Sequence, residues 1–316
     1  MVVTRDDLEA ALAALVAEVS DPCAGIHGPR SASWRLAGDL GVFLGGGRAA
    51  LLQLAHPMVA YAVDHHSHAR GDVIGRFQRT FRHVFAMAYG ELGDAIAAAR
   101  RVHAIHTRIH GEISDAVGAW PAGTRYHAND AEALRWVHAT LTDTVIAVRV
   151  RLGYRFAPGE LDGYTLEMNR FAALFGIPAA MLPRTWAEHD DYFCSMLASD
   201  RLCVAPVALE MSRFLLGRGG EGAQPVLGRL AELLAAAMLP PRLRRGFELA
   251  YSRLDHVVVD AAFATLGRVY ERLPRRLVAI PAHSEATRRL AGKPPSEVAA
   301  WTERTLFGLS RRVTGS

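Results

Sequence analysis

Apolar residues recur at the three-and-four spacing of an α-helix over almost all of the 316-residue chain, and no stretch alternates with the two-residue period of a strand. A chain patterned this way can bury its apolar stripes only by packing helix against helix. The spacing predicts helices over 6–19, 36–44, 49–63, 72–90, 93–111, 130–152, 159–175, 183–199, 203–216, 225–238, 240–271 and 285–309. Proline and glycine punctuate the joins, at Gly90, Pro121, Gly123, Pro158, Gly159, Gly176, Pro178, Gly217, Pro240, Pro241, Pro294 and Pro295. Pro57 falls inside the helix over 49–63 and is expected to kink it. No internal repeat and no linker long enough to divide the chain is visible, so the expectation is one all-α, multi-helix domain over 1–316.

With hydrophobic residues at 50%, a chain of this length can build a real core without staples. Its three cysteines, Cys23, Cys194 and Cys203, are odd in number, far apart and without a C-x-x-C, which supports neither a disulfide framework nor a cysteine zinc site. The acidic, amphipathic start lacks the basic and apolar regions of a secretory signal, and no apolar run reaches the roughly 18 residues of a spanning helix. These features predict a cytoplasmic protein without a transmembrane segment. A net charge of +4, dispersed and mostly arginine, argues against a nucleic-acid partner. The arginine runs at 241–245 and 272–276 read as solvated helix ends, with a weak membrane-surface contact left open.

Two neighbouring stretches carry polar side chains at single-face spacing. Arg76, Arg79, Thr80 and His83 lie at offsets 0, 3, 4 and 7, as do His103, His106 and His110 at 0, 3 and 7. The residues between them are mostly apolar or small, so at least one face is expected to look inward, where polar groups need partners. Other motifs fail. Gly45, Gly46 and Gly47 lie between helices without the strand and Lys-Ser/Thr of a phosphate loop, and read as close helix packing or a hinge. His65, His66 and His68 lack the H-E-x-x-H spacing of a zinc hydrolase, and Ser67 has no G-x-S-x-G setting. His27, His189, His256 and His283 read as surface or hydrogen-bonded core residues.

Several motifs taken in order carry a resemblance: Leu51-Leu52-Gln53-Leu54-Ala55-His56-Pro57, then His66-Ser67, the Arg76, Arg79, Thr80 stripe, Ile105-His106 through Gly111, Tyr126 with Ala128 and Asp130, and Trp136 with His138 and Leu141. Together they resemble the MpaB/rubber-oxygenase catalytic-domain family, which includes the latex-clearing proteins and a fungal prenyl-chain oxygenase. The similarity runs from about Gly38 to beyond Leu202, with Gly176 to Pro178 and Leu182 to Thr185 in the same style.

The resemblance implies a globin-like helical fold holding haem b, with a histidine as proximal iron ligand and dioxygen on the other side. His106 occupies the family's proximal setting. Raw spacing from the arginine stripe would favour His110, and local context favours His106. Carried over in the same way, Arg76 is suited to a haem propionate through its forked guanidinium, and Thr80 to a hydrogen bond near the reacting oxygen. The family's lysine is replaced by Arg79, which stays protonated and cannot serve as a capping ligand; donation to bound dioxygen or peroxide is the role left to it. A glutamate common in the family before the His-Ser pair is replaced by His65, with Asp64 one residue earlier, so the base is His65, Asp64 or absent. His83 is a second axial ligand or a hydrogen-bonded core histidine. The expected activity is haem-dependent oxygenation of a small, intracellular hydrophobic substrate, an isoprenoid, lipid or natural-product intermediate, with cleavage of a carbon–carbon double bond as one outcome. A haem-binding or haem-sensing protein without turnover, and a metal-free helical module for hydrophobic ligands, are the alternatives.

Overall fold

The computed structural model describes residues 1–65, 82–217 and 225–297, and they are overwhelmingly helical. In chain order the elements are α1 (Arg5–Glu18), α2 (Ala32–Ala37), α3 (Gly46–Leu54), α4 (Pro57–His65), α5 (82–89 among the described residues), α6 (Leu92–His106), strands β1 (His110–Glu112) and β2 (Arg125–His127), α7 (Ala131–Arg151), α8 (Glu160–Ala173), α9 (Trp186–Ala198), α10 (Pro206–Leu215), α11 (Pro225–Met238), α12 (Pro241–Gly246), α13 (Arg253–Arg272), α14 (Arg275–Val278) and α15 (Pro281–Leu290). The fold is all-α apart from this one antiparallel hairpin, in which His110 pairs with His127, Gly111 with Tyr126 and Glu112 with Arg125. Among the described residues no helix is long and apolar enough to cross a membrane.

Side-chain caps fix where the main helices begin. Thr4 and Asp7 form a reciprocal capping box on α1, and the Asp130 carboxylate accepts the backbone N–H groups of Glu132 and Ala133 to start α7. That helix, the longest among the described residues, runs through the core. On one side Trp136 stacks on Phe193 at 5.4 Å and donates its indole N–H to the Leu52 carbonyl at 2.8 Å, within a cluster that includes Leu51, Tyr61 and Leu202. On the other, Ile146 joins Leu8, Leu36, Met87, Ala99 and Tyr164. Burying aliphatic and aromatic side chains on both flanks contributes about 2 kcal/mol each, which is what makes so long a helix stable.

The glycine triplet is close packing. A Cβ on Gly45 would stand 2.4 Å from Thr144 Cγ2 and 2.8 Å from Val148 Cγ2, and one on Gly47 3.1 Å from the Ala235 Cβ of α11. Only without those carbons can α3 lie against α7 and α11 together. Next to it Arg48 spans the core, donating to the Asp143 carboxylate, to Thr144 Oγ1 at 2.6 Å and to the Met238 carbonyl at 3.1 Å. Burial pushes the Asp143 carboxyl up despite that partner.

Four expectations change. Pro57 does not kink a helix; it starts one, with α3 ending at Leu54 and Pro57 taking the first position of α4, where its missing N–H costs nothing. The span 36–44 divides into the end of α2 and a tight 3-10 turn over Leu40–Gly45. The span 240–271 divides because Glu248 takes a left-handed φ of 54° and Ser252 with Asp255 caps a new helix. The helix expected over 285–309 starts earlier and ends at Leu290; 298–316 lie outside the described residues.

Candidate functional site

The helix carrying the histidine stripe stops at His106, and His110 is not on it. Ile109 and Ile113 pack into the main core cluster, and the chain folds into the hairpin: the Ala128 N–H donates to the Ile109 carbonyl at 2.8 Å and the Ile113 N–H to the Thr124 carbonyl at 2.9 Å. The end is sealed by side chains. Asn129 Nδ2 donates to the His103 carbonyl and to Thr107 Oγ1, both at 3.2 Å, and Thr107 Oγ1 donates to the same carbonyl at 2.9 Å. The expected face of His103, His106 and His110 is therefore reduced to the first two. His103 Nε2 lies 3.1 Å from the Val3 carbonyl. His106 is half-buried in the last turn. His110 is exposed at the start of β1, its ring stacked on His127 at 6.0 Å.

The hairpin packs on α4, and this brings a second group together. His65, the last residue of α4, has Nδ1 2.8 Å from the Tyr126 hydroxyl. Tyr126 reaches it by lying over Gly111, where a Cβ would stand 2.6 Å from the Tyr126 oxygen. One turn back on α4, Tyr61 meets the His65 ring edge-on at 5.4 Å and donates to Asp115 at 2.6 Å. The Tyr61 and Ser114 hydroxyls hold the Asp115 carboxyl below its ordinary value. Burial, then the charge of Asp64, pushes the Tyr126 phenol up, so it stays protonated, with its oxygen still able to accept from the imidazole. Of the candidate bases, His65 has a fixed partner; half-buried Asp64 acts on the same phenol through its charge. Tyr61, Asp115 and Tyr126 were not among the candidates read from the sequence. Tyr126 stood in a recognised motif, but only the cross-strand pairing with Gly111 shows where its hydroxyl goes.

His83 is half-buried on α5, and burial followed by the charges of Arg101 and Arg82 pushes its pKa down. Arg76, Arg79 and Thr80 lie outside the described residues.

Three further histidines sit deep beside this region. His56, at the α3–α4 junction, is fully buried against Trp120 at 5.1 Å with neither ring nitrogen bonded. His138 and His189 are buried where α7 meets α9, and His189 is stacked between Trp186 and Phe193 at 4.7 and 6.0 Å. Burial pushes His56 and His189 down to about 4 and His138 to about 3. All three are neutral at pH 7.

Among the described residues, no three His, Cys, Asp or Glu side chains are grouped to hold a bare metal ion. A haem makes a smaller demand, since the porphyrin supplies four nitrogens and the protein as few as one axial donor. A half-buried imidazole on the carbonyl end of a helix, where the backbone dipole favours positive charge, fits that demand. A family model described as ER-bound oxygenase mpaB/B'/Rubber oxygenase, catalytic domain, matches residues 34–270. That stretch runs from α2 through α13 and contains the α4 end, the α6 end and the hairpin. Neither a curated protein nor a solved structure matches the chain.

Proposed function

The chain belongs to the mpaB/rubber oxygenase catalytic-domain family, and we propose from that membership that it is a haem b-dependent oxygenase acting with O2 on a small hydrophobic substrate, an isoprenoid, lipid or natural-product intermediate, by cleavage of a carbon–carbon double bond. The family match over 34–270, with His106 half-buried at the end of α6 inside it, carries the reading. Haem, when bound, supplies the redox chemistry of dioxygen. The chain's own residues do the rest.

His106 would hold the haem iron through its imidazole. Arg76 is assigned to a propionate, where a guanidinium can make two parallel charge-assisted bonds. Arg79 and Thr80 would donate hydrogen bonds to the reacting oxygen; a permanently charged guanidinium would serve as a donor and not as an iron ligand. His65 is the preferred proton acceptor: with its Nδ1–H donated to the Tyr126 oxygen at 2.8 Å, Nε2 is the unprotonated nitrogen that can take a proton; Asp64 supports it electrostatically. His110, exposed and stacked on His127, is the weaker ligand of the two considered. His83 is assigned to packing between α5 and α6.

Incubation of haem-loaded protein with a panel of short isoprenoids and lipids under 18O2 tests the reading. Labelled carbonyl products that are lost in His106→Ala are expected. Tight haem binding with no label in any isoprenoid or lipid would overturn the oxygenase assignment in favour of a haem-binding or haem-sensing role.

A further inference from the structure

The first half of α13 is apolar on both sides. Val259 and Phe263 turn inward, yet on the outer side Leu254, Val257 and Val258 are 72%, 63% and 53% exposed. Beside it the first turns of α11 expose Val226, Leu227 and Leu230, at 81%, 60% and 51%. The ion pair between Arg229 and Asp255, 3.2 Å, ties the two helix starts together. Six aliphatic side chains thus point outward around one ion pair, which is more than the single exposed leucines of an ordinary surface.

The uncommitted charge bordering them is mostly positive. Offsets of 7, 11 and 14 residues bring Arg268 and Arg272 onto the same face of α13 as Leu254, Val257, Val258 and Ala261. At the far end α14 adds Arg276 beside Leu277, and Arg253 stands at the start. These four arginines are exposed, and none is in an ion pair among the described residues. The acids of 253–277 are Asp255, Asp260 and Glu271; Asp255 is held by Arg229 and Asp260 by Arg151. Glu271 is the one uncommitted carboxylate of that stretch.

We infer that the outer face of α11, α13 and α14 docks on the surface of an anionic lipid bilayer. The aliphatic side chains enter the headgroup boundary and the arginines meet lipid phosphates, with α13 lying in the plane of the interface. A second copy of the chain fits less well, because a self-complementary contact would set this arginine line against a surface with almost no free carboxylate to receive it. The inference stands apart from the haem assignment and does not need it.

Sedimentation of the full-length protein with vesicles tests it. Binding is expected to phosphatidylcholine vesicles carrying phosphatidylglycerol, to weaken with added salt, and to be far poorer on phosphatidylcholine alone. Arg268→Gln and Arg272→Gln, exposed positions that leave the fold undisturbed, should each weaken partitioning about fivefold. Leu254→Ser with Val257→Ser should weaken it by about tenfold or more. Equal binding to both vesicle types, or arginine variants that bind like the parent, would overturn the proposal. So would a dimer, seen by sedimentation velocity, that Leu254→Ser dissociates while vesicles capture nothing.

Discussion

Tyr126 holds His65. Its hydroxyl lies 2.8 Å from His65 Nδ1, and it gets there because Gly111, its partner across the hairpin, has no side chain to block the ring. Gly111→Ala would place a carbon 2.6 Å from the Tyr126 oxygen and displace the ring, so it should cost about 1–3 kcal/mol. Tyr126→Phe, which loses one half-buried hydrogen bond, should cost about 1 kcal/mol. Denaturant unfolding of both variants and of the double variant measures this. If Gly111→Ala is as stable as the parent, the ring does not lie where the hairpin puts it.

The neighbouring glycines of α3 give a sharper contrast. Gly45→Ala must push Thr144 and Val148 of α7 aside, and a loss of about 2–3 kcal/mol is expected. Gly46→Ala meets nothing within 4 Å in a right-handed helical backbone and should be neutral or stabilising by up to about 1 kcal/mol. Thermal melts of the two variants decide between packing and a hinge: a hinge would be stiffened by either substitution, with no large loss from Gly45→Ala.

Stability should fall in mild acid. His56 and His189 are pushed down to about 4, and His138 to about 3, whereas in the unfolded chain a histidine takes up its proton near pH 6.5. Between pH 6.5 and 4 the unfolded state therefore binds more protons than the folded one, and stability declines as the pH drops through that window. Each group contributes on the order of 3 kcal/mol across it. Unfolding free energies measured from pH 7.5 to 4.5 should fall steeply, and His56→Leu should flatten the slope. A profile flat to pH 4.5 would mean that these rings are hydrated.

Arg48 and Asp143 form a buried pair whose members cannot be removed singly at low cost. Arg48→Met leaves the carboxylate buried without its guanidinium, and a loss of about 3–5 kcal/mol is expected. Adding Asp143→Leu should recover much of it, since an apolar pair removes the uncompensated charge. A double variant no better than Arg48→Met would show that Arg48 acts mainly through the Met238 carbonyl and the Phe193 ring.

What the spacing revealed and what it hid follow from the range of the interactions involved. α11 falls on 225–238 as the pattern predicts, and α7 begins where Asp130 can cap it, because caps and amphipathic stripes are local. The end of α6 was hidden because Asn129, more than twenty residues on, closes it, and because Ile109 and Ile113 answer to a core assembled from distant helices. The single helix expected over 240–271 failed just after Gly246, where the left-handed φ falls on Glu248, a residue type that does not announce it. At the site, the sequence offered His65 and Asp64 but not the phenol that orients His65. Cross-strand neighbours are set by register, and a hairpin of three-residue strands has too few residues to display a period.

The absorption spectrum of the purified protein, recorded oxidised and then reduced after expression with ample haem precursor, tests the central assignment most directly. A Soret band that shifts on reduction, and that is lost in His106→Ala but kept in His110→Ala with far-ultraviolet circular dichroism unchanged, is the predicted result. A protein without a Soret band that also fails to take up added haem, or one whose spectrum is the same in His106→Ala, would contradict it.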